Sequence, residues 1–105
     1  MRESEFQRKL ISEIEELFPG CIVLKNDATY IQGIPDLLIL FNNKWAALEC
    51  KRSEKEHRQP NQEFYISKMD DMSFASFVYP ENKEAVLHDL EYAFSSRRST
   101  RLPRR

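Results

Sequence analysis

The sequence predicts an α/β fold with a central mixed β-sheet flanked by helices. Two observations carry that reading. Segments of helical apolar periodicity and short apolar runs follow one another in the order α-β-β-β-α-β-α, with no internal repeat. Two of the runs are separated only by Asn42-Asn43, a two-residue turn signal that makes them a hairpin.

Each element has its own warrant. Glu3 to Phe18 reads as a helix because Phe6, Leu10, Ile14 and Leu17 form one apolar stripe, and Pro19-Gly20 stops it. Cys21 to Leu24 is a short apolar strand. Asn26 to Gly33 is polar and reads as a loop, with a little extended structure around Tyr30-Ile31. Pro35 opens a strand over Asp36 to Phe41, and Lys44 to Lys51 is its return strand. Arg52 to Asn61 is a charged connection containing Pro60. Gln62 to Met69 is the second helix, Ser73 to Tyr79 the fourth strand, and Pro80 breaks it. Glu81 to Phe94 is the last helix. Residues 1–96 make a single domain, and 97–105 a basic tail.

Composition bounds the function. A chain of 105 residues forms one small domain, which excludes paired catalytic lobes or a repeat array. It is 41% hydrophobic and 31% charged, a profile that is globular rather than disordered. The longest apolar run, Leu37 to Phe41, is far short of the ~20 residues of a membrane helix. Arg2, Glu3 and Glu5 stand where a signal peptide would begin. Two cysteines, Cys21 and Cys50, make no disulfide scaffold. An intracellular, cytoplasmic protein with reduced thiols is expected. The net charge of −1 hides an asymmetry: the last nine residues hold five Arg and no acid, leaving the body at −6. That tail reads either as an arm for a polyanion or as a solvated terminus.

The hairpin sets two carboxylates face to face. With Asn42-Asn43 as the turn, Phe41 pairs with Lys44 and Asp36 falls opposite Glu49. Directly opposed residues share a sheet face, with Cβ atoms about 4.5–5.5 Å apart. Lys51 lies two residues past Glu49 and projects from the same face, while Cys50 points to the other. Its backbone carbonyl remains near the site. Like charges in opposition destabilise a hairpin, and the neighbours are apolar. Such carboxylates must be paired or bind a cation. Oxygen ligands suit Mg²⁺ or Mn²⁺. His57 and His88 have no ligand-like spacing with the cysteines, which argues against zinc.

A divalent ion beside a lysine is suited to phosphodiester hydrolysis. The ion polarises a phosphoryl oxygen and acidifies water, and the lysine orients that water or neutralises phosphate charge. A third carboxylate would complete the site. Glu3 shares the buried stripe of the first helix with Phe6 and Leu10, whereas Glu5 falls off it, so Glu3 is preferred. The plainer alternative is an ordinary Lys51–Glu49 or Lys51–Asp36 surface pair.

Gly33-Ile34-Pro35-Asp36, thirteen residues before Glu49-Cys50-Lys51, resembles the signature of the PD-(D/E)XK nuclease superfamily. The Glu3-Ser4-Glu5-Phe6-Gln7 opening, and a Gln at the start of the next helix (Gln62), are similar to its compact phage-type VRR-NUC branch. The resemblance spans roughly Glu3 to Tyr79. It implies a restriction-endonuclease-like αβββαβ core. It implies Asp36 and Glu49 as metal ligands with the Cys50 carbonyl as a third, Lys51 as catalytic lysine and Glu3 as the first-helix acid. Gln62 would be a supporting active-site or DNA-contacting residue, with Gln59 as its near neighbour. Cys50 departs from the larger aliphatic usual at that position, which changes only the packing behind the sheet.

The function so implied is a Mg²⁺- or Mn²⁺-dependent endonuclease on DNA, structure-selective for branched substrates such as Holliday junctions and acting as a homodimer. Nothing in the chain calls for an organic cofactor. Arg52, Lys55 and Arg58 follow the catalytic strand and could track phosphates, as could Arg97, Arg98 and Arg101 of the tail. Glu54 and Glu56 interleave the first group, so a solvated loop stands beside that reading. Two other readings remain open. One is the same chemistry on duplex ends, flaps or nicking sites. The other is a non-catalytic nucleic-acid- or protein-binding module on the nuclease fold.

Overall fold

The computed structural model of the chain describes residues 2–95. The elements are α1 (Glu3–Leu17), β1 (Ile22–Lys25), β2 (Leu37–Phe41), β3 (Lys44–Cys50), α2 (Pro60–Met72), β4 (Phe74–Val78) and α3 (Lys83–Ser95). Their order is the expected α-β-β-β-α-β-α. The strands form one sheet in the order β1-β2-β3-β4. β1–β2 and β2–β3 are antiparallel and β3–β4 is parallel, so the sheet is mixed. The parallel pair requires a crossover, and α2 supplies it. The basic tail, Arg97 to Arg105, lies outside the described residues. No helix among the described residues is long and apolar enough to cross a membrane.

Alternation along the strands sorts the sheet into two faces. Leu37, Ile39, Ala46, Leu48, Cys50 and Val78 point to one side and pack with Phe6, Leu10 and Ile14 of α1 and Val86, Leu87, Leu90 and Phe94 of α3. Phe18, Phe41 and Phe94 close this core at the turn end, with ring centroids 5.0–5.5 Å apart. Glu49 projects from the opposite face, where α2 lies. None of the residues of α2 is buried.

The hairpin register is the expected one. Phe41 pairs with Lys44 and Leu37 with Leu48, and Asn42 takes a left-handed φ of 56° to close the turn. The ladder stops one residue short of expectation, at Leu37 rather than Asp36. Pro35 has no N–H to offer, and side chains take over from the backbone at this point (below). Asp36 remains tied to the β1 side, because its carbonyl accepts from the Asn26 N–H at 2.8 Å.

Two local expectations are corrected. α2 begins at Pro60 rather than Gln62 and runs to Met72 rather than Met69. Proline lacks only an N–H that a first helical turn would leave unbonded, so Pro60 starts the helix instead of preceding it. The Tyr30-Ile31 stretch is turn and bend, not extended. Asp27 Oδ1 accepts from both the Thr29 N–H and hydroxyl, and its carbonyl accepts from the Tyr30 N–H, which winds the chain there. Gly33 ends this loop at φ +92°, and a Cβ there would lie 2.8–2.9 Å from Asn61. The bare glycine lets the loop press on the first turn of α2.

Candidate active site

The ends of β2 and β3 build the site by exchanging side chains for backbone partners. The Asp36 N–H donates to Glu49 Oε1 at 3.1 Å, and the Cys50 N–H donates to Asp36 Oδ2 at 3.0 Å. The two acids thus continue the hairpin ladder through their carboxylates. In extended backbone a residue's N–H and C=O face the same flank, so the Cys50 carbonyl also faces Asp36. The following Lys51 N–H turns to the other flank, donating to the Val78 carbonyl at 2.9 Å.

Lys51 and Glu49 are the only buried charged residues among the described ones, at 5% and 4% exposure. A buried lysine must satisfy its donors. Lys51 Nζ donates to Gln62 Oε1 at 2.9 Å and to the His57 carbonyl at 3.1 Å, and stands 4.0 Å from Glu49 Oε2. Gln62 Nε2 donates to Glu49 Oε2 at 2.9 Å, and Gln62 Oε1 also accepts the Gln59 N–H at 3.0 Å. One amide therefore caps α2, holds the lysine and holds the glutamate. That resolves the two neighbouring glutamines: Gln62 contacts the site with its side chain, and Gln59 contributes its backbone.

The electrostatics are acid-rich. Burial, then the proximity of Asp36 and Glu3, push the Glu49 carboxyl up to about 8 against the pull of Lys51 and the Asp36 N–H. Burial raises Asp36 above the usual carboxylate range, opposed by the Cys50 N–H and Lys51. Glu3 is raised by burial and then by Asp36 and Glu56. Burial and Asp36 raise the Cys50 thiol, while a hydrogen bond with Gln7 of α1 opposes them. Glu3 thus joins the site from the first turn of α1. Glu5 instead turns back to accept the Arg2 N–H at 3.3 Å, at the helix start.

Asp36, Glu49, Lys51, Gln62 and Glu3 are brought to one end of the sheet. The basic residues after β3 divide. Arg58 lays its guanidinium 4.0 Å from the centre of the Phe77 ring, and Phe77 is the β4 neighbour of Glu49. Arg52 is exposed and sits 3.6 Å from Glu56. Lys55 is exposed. Arg97, Arg98 and Arg101 lie outside the described residues. His57 and His88 are both exposed, Cys50 is buried and Cys21 half-buried, and both thiols are free. Sequence reasoning gave no site role to Glu56, Gln7 or the His57 carbonyl. Glu56 was visible only as one acid in a charged run, and the other two depend on the fold.

The donor set suits a hard cation. Asp36 raises Glu3 and Glu49, Glu3 raises Glu49, and Glu56 raises Glu3 and Asp36, with Lys51, and for Glu3 also Arg52, pulling the other way; the raised Glu49 marks a shortage of positive charge. Among the described residues no group of three or more His, Cys, Asp or Glu side chains converges closely enough to hold a metal ion. Mg²⁺ needs fewer than three, since it keeps several waters and commonly takes one or two carboxylates plus a substrate phosphate. Asp36 and Glu49, with the Cys50 carbonyl, are the groups here that could hold one. No family model, curated protein or solved structure matches this chain.

Proposed function

We propose that the chain is a divalent-metal-dependent endonuclease hydrolysing DNA phosphodiester bonds. It would be a PD-(D/E)XK nuclease with a restriction-endonuclease-like core, of the compact VRR-NUC kind, acting as a homodimer on branched DNA such as Holliday junctions. One observation carries the reading: two carboxylates opposed across a tight hairpin share a single hydrogen-bonded network with a buried lysine. Stability alone does not favour this arrangement, because burying like charges together costs free energy.

Asp36, Glu49 and the Cys50 carbonyl would hold Mg²⁺ or Mn²⁺ with Glu3 beside them, supplying charge for the phosphoryl oxygen and a more acidic water. The remaining chemistry belongs to the chain. Lys51 has three donors, two of which are committed to Gln62 and the His57 carbonyl. The third is left for the scissile phosphate or the attacking water. Fixing the ammonium beforehand removes the entropy of placing it during reaction. Arg58, held flat on Phe77, is suited to a backbone phosphate of the bound strand.

The test is cleavage of labelled four-way junction, Y-fork, duplex and single strand in Mg²⁺, Mn²⁺ or EDTA. Wild type is compared with Asp36→Ala and Lys51→Ala. Paired metal-dependent nicks on the junction, lost in both variants with DNA binding retained, are expected. Cutting of duplex ends, flaps or every substrate would keep the chemistry and remove the junction preference. Metal-dependent cutting by Lys51→Ala would remove its role.

A second reading is favoured by one observation. Both Glu49 oxygens and one of Asp36 already accept N–H bonds, and no three-ligand group is formed among the described residues. A non-catalytic binding module on this fold would look the same. Calorimetric titration with Mn²⁺ separates the two, since absence of binding at millimolar metal selects the module.

A further inference from the structure

The loop from Asn26 to Gly33, between β1 and β2, is fastened to the candidate site at both of its ends. At its start the Asn26 N–H donates to the Asp36 carbonyl at 2.8 Å, and the Asn26 side-chain amide donates to the Pro35 carbonyl at 2.8 Å. At its close the Asn61 amide donates to the Gln32 carbonyl at 3.3 Å, and Gly33 lies hard against the same asparagine. Asn61 is the residue before Gln62, whose amide holds both Lys51 and Glu49. The loop is therefore a rim of the site, running from the Asp36 side to the Lys51 side.

The middle of this rim is wound, not loose. The Asp27 carbonyl accepts from the Tyr30 N–H at 3.1 Å, and the Ile31 carbonyl accepts from the Ile34 N–H at 3.3 Å. Ile31 and Ile34 are half-buried, whereas Tyr30 turns outward. At 85% it is the most exposed large apolar side chain among the described residues. Its ring has no hydrogen-bond or aromatic partner among them. A tight turn and a cross-strand pair put its Cα within about 16 Å of that of Asp36. Folding the ring onto the sheet would take apolar area out of water, and the wound backbone holds it out instead. A tyrosine so held, with only its side-chain torsions to fix, is ready for a flat partner at little entropic cost.

We propose that Tyr30 stacks on an unpaired nucleobase of the bound strand, close to the phosphate that reaches the carboxylates. This role rests on the nuclease reading and narrows its substrate to strands with a base out of the stack. Inside a continuous duplex each base has neighbours on both faces, so a ring can be laid on it only after unstacking. At a branch point, a flap or a single strand a face is free. Every base has such a face, so the contact reads structure rather than sequence.

Affinity measured in an Asp36→Ala background with Mg²⁺ tests it on Y-fork, single strand and continuous duplex. Tyr30→Ala should weaken binding to the fork and the single strand about tenfold and leave the duplex unchanged. Tyr30→Trp should keep the parent's affinity. An abasic nucleotide moved along the fork strand should, at particular positions, cost the parent the same factor and cost Tyr30→Ala nothing, since ring and base are then a coupled pair. Urea midpoints of the Tyr30 variants should equal the parent's, because the ring packs against almost nothing. Equal binding by Tyr30→Ala and its parent, an equal loss on every substrate, or a loss that no abasic position reproduces overturns the role. If wild type and Tyr30→Ala cut the fork alike, the nuclease reading stands and the stacking alone is removed. A protein that binds no nucleic acid removes both.

Discussion

Raising the pH from 5 to 8 in EDTA should cost the protein much of its stability, through Glu49. Its carboxyl goes from 4.5 in an open chain to about 8 in the fold, because burial and Asp36 disfavour its charge. Between those values the folded chain holds a proton that the unfolded chain has released. Stability is therefore greatest below the unfolded value and falls as pH rises through the folded one, by about 1.4 kcal/mol per pH unit for one proton. Over the three units from pH 5 to 8 the loss approaches ~4 kcal/mol, a large part of the 5–15 kcal/mol that holds a small domain together. Asp36 and Glu3 are shifted in the same direction and add to the sign. Glu49→Gln removes the titrating group. Urea unfolding at pH 5, 6, 7 and 8 should show a midpoint that falls steeply for wild type and far less for Glu49→Gln. Millimolar Mn²⁺ at pH 8 should return much of the lost stability to wild type alone. A flat wild-type profile in EDTA, or an equal slope in the variant, would refute the account of the site as short of positive charge.

Gln62→Ala should lower cleavage about 100-fold by releasing Lys51. The same change should cost about 1–3 kcal/mol in urea unfolding, since Glu49 and the Gln59 N–H lose their partner. Gly33→Ala meets both a positive φ and Asn61 at 2.8 Å, whereas Gly20→Ala at φ +93° meets nothing within 4 Å. Both should pay about 1–2 kcal/mol for the backbone, and only Gly33→Ala should lose more. Equal losses would show that the loop–α2 contact yields freely. Leu10→Ala, in a fully buried position, should cost about 2–5 kcal/mol by thermal or urea unfolding. Its kcat below the melting range should be unchanged, since Leu10 lies in the core rather than in the site.

The legible parts of this chain were those governed by local rules. The α1 stripe and the two-asparagine turn each encode their geometry within a few residues, so the register opposing Asp36 to Glu49 could be counted from the sequence. α2 was misplaced at both ends because it buries nothing, which leaves no stripe to read, and because Pro60 marks a start as well as it marks a break. Glu3 could be separated from Glu5 by helical phase. Its closeness to Asp36 depends on how α1 crosses the sheet, which only packing decides. Glu56 and the His57 carbonyl belong to a loop whose path no short-range pattern specifies. The Arg58–Phe77 contact joins that loop to a strand nineteen positions on.

Asn42 and Asn43 sit at the far end of the hairpin from the chemistry, yet they act as its clasp. Side chains alternate along a strand, so pairing shifted by one residue would turn Glu49 and Lys51 to the opposite surface while leaving the composition of the site intact. A single residue inserted in that turn, eight or nine positions from the lysine and exposed to water, threatens the constellation as severely as a substitution within it. The tolerance to length change usual in surface loops is withdrawn at this one. Damage there would present as loss of the proposed activity with every residue of the candidate site still in the sequence.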